Sequence, residues 1–145
     1  MEIRHIRGNT YVIPGSPTTL LYIKDSRVWI VDPGLEASRG SAICELIKSR
    51  GWNLEGIIFT HSHADHFGAA SNMHGIFQAP EIEACLIESR MLRHLATYGY
   101  YQPREHHIGL FDAPEMRIDR VFKPGEFVEP VSYTHLRAHE TEAEL

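Results

Sequence analysis

The string His61-Ser-His63-Ala-Asp65-His66 packs three imidazoles and a carboxylate into six positions. In an extended stretch His61 and His63 stand two residues apart, so both rings point to the same side and can share one metal ion. Asp65 and His66 are neighbours, so they diverge and can serve a second metal nearby. Neutral imidazoles with a carboxylate suit Zn²⁺ best, with Fe or Mn also possible. Two protein ligands per metal fall short of the usual number, so further ligands must come from elsewhere. A surface loop that is histidine-rich by accident is the plain alternative. It accounts poorly for four such residues between a buried strand and the start of a helix. The Gly and Lys of a phosphate-binding loop are missing.

The elements that must position this string can be read around it. Glu2–Arg7 alternates and is followed by the turn Gly8-Asn9. Thr10–Ile13 is a short β-rich run, ended by Pro14-Gly-Ser-Pro17. Thr19–Ile23 and Val28–Val31 are apolar runs joined by Asp25-Ser-Arg27, and the second has no polar face, which places it inside a sheet. Asp32-Pro33-Gly34 ends that strand. Ile43, Leu46, Ile47 and Arg50 share one face of a helix expected over 37–50, closed by Gly51. Gly56–Thr60 reads as a second buried strand, a short helix is expected over 67–74, and Ile76–Ala79 is strand-like. Pro80 suits the first position of a third helix, whose period runs through Ile82, Cys85, Leu86, Ser89 and Leu92. Tyr98–Phe111 reads as a loop, and Arg117–Phe122 and Glu126–Val128 as further strands around Lys123-Pro-Gly125. The expected core is Leu20, Leu21, Ile23, Trp29, Val31, Ile57, Ile58 and Phe59. Strands first, then strand–helix alternation, indicates a mixed α/β sandwich.

Composition narrows the function classes. The chain has 145 residues, enough for one domain, with 43% hydrophobic and 23% charged residues. Its net charge of −5 offers no basic face for nucleic acid. No apolar run is long enough to span a bilayer, and Met1–Arg7 lacks the apolar core of a signal peptide. Two cysteines, Cys44 and Cys85, are too few for a disulfide scaffold and suit a reducing cytoplasm.

The C-terminal segment stands apart. Val131-Ser-Tyr-Thr-His-Leu-Arg-Ala-His-Glu-Thr141 resembles, residue for residue, a translated transposase adapter of sequencing libraries. The expectation is that residues 131–145 are a non-native tail and that 1–130 is the natural part of a longer protein. The alternative is an ordinary polar helix. On the adapter reading His135 and His139 are discounted as ligands despite their spacing.

Thr60-His-Ser-His-Ala-Asp-His-Phe-Gly68 resembles the signature of the metallo-β-lactamase-fold hydrolases. Asp32, in Ile30-Val-Asp-Pro-Gly34, and the N-terminal run of β-hairpins are similar to further features of that family. The resemblance covers most of residues 2–130. It implies an αββα sandwich, present here as its N-terminal half. It implies that His61 and His63 ligate a first metal and that Asp65 and His66 ligate a second. Asp32 would orient a ligand or the local backbone from behind; alone, it would read as a turn aspartate before Pro-Gly. A metal-activated water would attack an ester, thioester, lactone, amide or phosphodiester bond of a small molecule, and Asp65 would orient that water. The family also needs a His in a Pro-Gly-His context, a bridging Asp and a last His. Lys123-Pro-Gly-Glu126 carries Glu in that context and is expected to be an ordinary turn, with the remaining ligands beyond residue 130. His106-His107 sit in a loop without strand-end framing. His5, His74 and His94 read as surface or helix-face residues, and Tyr98, Tyr100 and Tyr101 suit a substrate mouth or an apolar flap equally.

Two rival functions remain. One is a metal-binding domain that is catalytically incomplete. The other is an amidohydrolase barrel, which also begins with His-x-His. A barrel leaves Asp65-His66 unexplained and needs far more chain.

Overall fold

The computed structural model describes residues 1–81, 83, 84, 87, 88 and 117–126. One seven-stranded sheet runs in sequence order through β1 (Arg4–Arg7), β2 (Thr10–Ile13), β3 (Thr19–Lys24), β4 (Arg27–Val31), β5 (Asn53–Ile58), β6 (Ile76–Pro80) and β7 (Arg120–Phe122). The first four strands pair antiparallel through short turns, and β4 to β7 pair parallel. Parallel neighbours need crossovers. The first is α1 (Ala37–Ser49). The second is the one-turn helix α2 (Ala64–Phe67) with the 3-10 stretch Gly68–Asn72.

Strand alternation divides the apolar residues between two faces. Leu21, Ile23, Val28, Ile30, Ile57 and Phe59 pack with Ile43 and Ile47 of α1 and Phe67 of α2 in the main core. Trp29 and Ile58 point the opposite way and gather Tyr22, Val31, Ile76 and Phe122. Val28-Trp-Ile-Val31 lacks a polar face because both sides of β4 are covered, and β4 sits between β3 and β5. Each fully buried side chain of this kind stabilises the fold by about 1.5–3 kcal/mol.

Helix α1 lies against the 3-10 stretch at a point only glycine permits. A Cβ on Gly40 would stand 2.0 Å from the Ala69 carbonyl oxygen. The helix ends at Arg50, and Gly51 follows with φ +70°, the left-handed conformation that closes helices.

Several expectations need correction. Leu20 is 37% exposed, because the alternation of β3 turns Thr19, Leu21 and Ile23 inward and Leu20 outward. Strand β5 begins at Asn53 and ends at Ile58, because its parallel register with β4 starts at Arg27↔Asn53. The helix after the histidine string starts at Ala64, not Phe67. His63 is extended and its carbonyl accepts the His66 N–H, so the turn closes three residues early. Pro80 closes β6 beside Phe122, at a strand end where a missing N–H costs little. Only Arg120–Phe122 of the expected 117–122 strand is extended. The third helix is described at residues 81, 83, 84, 87 and 88. Its remaining positions, the loop 98–111, residues 127 and 128, and the tail 131–145 lie outside the described residues.

Candidate metal centre

The site forms where the C-terminal ends of β4 and β5 meet α2, at the carboxyl edge of the parallel strands where ligands of open α/β sheets bind. Asp32 follows β4, and the histidine string follows β5. The fold brings the rings together: the His61 centroid lies 4.6 Å from that of His63 and 4.0 Å from that of His66. The rings of His61 and His66 therefore lie against each other. The helical turn from Ala64 swings His66 back over the preceding loop. Asp32, His61 and His66 each offer a donor atom within 4.8 Å of the others.

Asp32 holds the arrangement from behind. It is 7% exposed and adopts φ +52°, a left-handed conformation uncommon for a residue with a side chain. Its Oδ1 accepts the Thr60 N–H at 2.9 Å, and its Oδ2 accepts the Thr60 hydroxyl at 2.5 Å and His66 Nδ1 at 2.8 Å. A hydroxyl has one proton, and Thr60 gives it to Asp32. Thr60 Oγ1 must then accept at its 2.8 Å contact with His61 Nδ1. Both His61 and His66 thus donate through Nδ1, which leaves Nε2 as the ring nitrogen that a metal would take. Burial first, then the neighbouring His66 and His63, pushes His61 below the ordinary imidazole pKa. That favours the neutral ligand form.

The donors fit a divalent ion. Asp65 Oδ2 lies 3.8 Å from His66 Nε2. Metal–nitrogen and metal–oxygen bonds to zinc are about 2.0–2.2 Å, so one ion can touch both atoms. Asp65 Oδ1 is buried with no hydrogen-bond partner among the described residues. A buried carboxylate oxygen without a partner, next to the His66 ring, is compatible with a site that takes a cation.

Four contributors carried no signal in the local sequence. Thr60 belongs to the quoted motif, but its bridging role depends on Asp32, 28 residues away. Glu83 accepts the N–H of buried Ser62 at 2.8 Å and so braces the histidine loop from the third helix. Thr19 and Arg39 support Asp32 from the other side. Lys123-Pro-Gly-Glu126 is a turn: Glu126 N–H donates to the Lys123 carbonyl, and the Glu126 carboxylate accepts the Lys123 N–H. His106, His107, His135 and His139 lie outside the described residues. His74 is exposed.

Known proteins share this fold. A structure of the class B3 di-zinc metallo-beta-lactamase LRA-12, from an Alaskan soil metagenome, superposes with a TM-score of 0.65 at 21% identity, covering 89% of this chain and 48% of that one. The DIM-1 metallo-beta-lactamase gives 0.62 at 14% identity, covering 90% and 55%. At such identities the likeness is one of fold, the metallo-β-lactamase α/β sandwich. In sequence, the "Probable metallo-hydrolase YqgX" of Bacillus subtilis (strain 168) is 28% identical over 146 residues, 92% of this chain and 63% of that protein. A hydroxyacylglutathione hydrolase of Bartonella quintana (strain Toulouse) is 38% identical over 53 residues, 34% of this chain and 21% of that protein. The chain thus spans about half the length of the solved structures and less than two thirds of the curated relatives. The family model described as "Metallo-beta-lactamase superfamily" matches residues 12–139, from β2 through the histidine string and into the tail. Fold, motif and matched length agree, and the chain belongs to the metallo-β-lactamase superfamily.

Proposed function

We propose that this chain carries part of the catalytic centre of a zinc-dependent hydrolase acting on a small molecule. The observation that carries the reading is the gathering of the His61, His63 and His66 rings at a strand end, with Asp65 3.8 Å from His66 Nε2 and Asp32 hydrogen-bonded to His66 Nδ1. His61, His63, Asp65 and His66 would hold metal, two ions in the whole protein, with Fe or Mn as alternatives to Zn²⁺. A bound ion would supply Lewis acidity and make a water nucleophilic at neutral pH. The chain's own residues supply the rest. Asp32 and Thr60 would hold two imidazoles in the ligating tautomer, Glu83 would fix the loop backbone, and Asp65 would orient an attacking water. The bond class is an ester, thioester, lactone, amide or phosphodiester. A hydroxyacylglutathione, the substrate in the name of the Bartonella relative, is the first to try. The −5 charge argues against nucleic acid. No described helix is long and apolar enough to cross a membrane. The two cysteines support a cytoplasmic compartment.

A second reading is a metal-binding domain that is catalytically incomplete. It is favoured by the ligand-capable cluster among the described residues, which holds only Asp32, His61 and His66. One assay separates the two. The zinc-loaded chain is offered a hydroxyacylglutathione, a lactone, a β-lactam and an activated phosphodiester. Chelator-sensitive turnover of any of them supports the hydrolase. Bound zinc without turnover supports the second reading, and neither zinc nor turnover contradicts both.

A further inference from the structure

Arg39, in the first turn of α1, spends its guanidinium on neutral groups. Its Nε donates to the Pro33 carbonyl at 3.0 Å, and its Nη2 contacts the Thr19 hydroxyl at 3.1 Å and the carbonyls of Ile13 and Pro14, both at 3.4 Å. Even a half-buried cation loses hydration that its hydrogen bonds must replace, and here no carboxylate contributes among the described residues. The space is cut to fit. A Cβ on Gly15 would stand 2.7 Å from Arg39 Nη2, and one on Gly34 would stand 2.8 Å from its Cδ. The Arg39 side chain thus runs close past the backbone at Gly15 and Gly34.

The contacts lead to the metal centre. Thr19 is fully buried; its hydroxyl accepts from Arg39 and donates to the Asp32 carbonyl at 3.1 Å. Asp32 needs such support, since a left-handed backbone at a residue with a side chain persists only where the surroundings hold it. Directly at Pro33 and through Thr19 at Asp32, Arg39 fixes the carbonyls of the two peptide groups that follow the Asp32 Cα. Asp32 in turn accepts a hydrogen bond from His66 Nδ1.

We propose that Arg39 is a positioning residue of the metal centre, acting through Thr19 and Pro33 to hold Asp32 in the conformation that fixes the His66 tautomer. The role rests on the metal-binding reading above, but half of it can be read without metal.

The test uses the full 145-residue chain. Zinc affinity is measured by competition with a chromophoric chelator. The His66 tautomer is measured by imidazole nitrogen NMR on the metal-free protein. Thr19→Val keeps the volume and removes the hydroxyl, Thr19→Ser keeps the hydroxyl, and Arg39→Met removes the fork. Thr19→Val and Arg39→Met should bind zinc about 10–100-fold more weakly, the range for losing support behind a metal ligand. Both should release His66 from a single Nδ1–H tautomer, and Thr19→Ser should retain both properties. If Arg39→Met does not fold, the Thr19 pair decides. Wild-type affinity and tautomer in folded Thr19→Val would overturn the role of the relay. So would affinity that falls only with the folded fraction while the His66 signal is unchanged. A His66→Ala chain that binds zinc like the wild type would sink the metal reading instead, leaving the tautomer result to judge Arg39.

Discussion

Asp32 Oδ2 lies 2.8 Å from His66 Nδ1, and this contact joins the end of β4 to the helix that follows β5. Two residues 34 apart in sequence are thereby locked into one unit. The carboxylate sets which ring nitrogen is bare.

Asp32→Asn should show what that contact does. The amide keeps the size and can still accept the Thr60 N–H through its oxygen. Its NH₂ group would then face His66 Nδ1–H, donor against donor. Zinc affinity should fall about 10–100-fold, with a stability loss of about 1–3 kcal/mol for the broken buried bonds. Chelator competition and urea unfolding check the two halves.

Asp65→Asn removes the charge whose Oδ1 is buried without a partner. The metal-free chain should fold as well as the wild type, because the core residues Leu21, Ile30, Ile57 and Phe59 lie apart from Asp65 in the sheet. Metal content should drop. On any substrate the protein turns over, kcat/KM should fall by at least about a hundredfold, the scale of losing one preorganised electrostatic group. Exposed His74→Ala is the control and should change neither.

Gly40→Ala pits helix propensity against packing. Alanine favours a helix interior over glycine by about 1 kcal/mol. The new Cβ would stand 2.0 Å from the Ala69 carbonyl oxygen, which belongs to backbone and cannot rotate away. Packing should win, with a net loss of about 1–3 kcal/mol on the scale of overpacked cores. Chemical denaturation reads the sign directly, and a more stable Gly40→Ala chain would contradict the packing described.

The tail is a separate question. Its first eleven residues match a translated adapter, while the family match extends to residue 139. On the adapter reading, deleting residues 131–145 should leave the unfolding midpoint unchanged. Loss of several kcal/mol, the scale of removing a buried apolar face, would show that the segment packs against the domain.

Much of this organisation was legible in the sequence, where local rules govern. Turn residues and alternation marked β2, β3 and β4, and the 3.6-residue period with Gly51 marked α1. The spacing within the histidine string gave the expectation of a metal site, and the fold brings three of its rings together. What was not legible depends on partners distant in the chain. Leu20 is as apolar as Leu21, and only the face it lands on decides its exposure. The helix start at Ala64 follows from His63 being extended, which loop closure imposes. Thr19, Arg39 and Glu83 have ordinary sequence neighbours. Their roles arise because β3, α1 and the third helix converge on one strand end.

The most direct test is a zinc titration of three forms of the chain. One is wild type, one carries His61→Ala with His66→Ala, and one carries alanine at His106, His107, His135 and His139 while leaving residues 61–66 intact. Chelator competition measures affinity, and X-ray absorption reports the nitrogen and oxygen ligands. The account predicts zinc held by imidazole and carboxylate in the wild type and in the third form alike, with binding lost in the second. Zinc retained without His61 and His66, or lost with residues 61–66 intact, would contradict it.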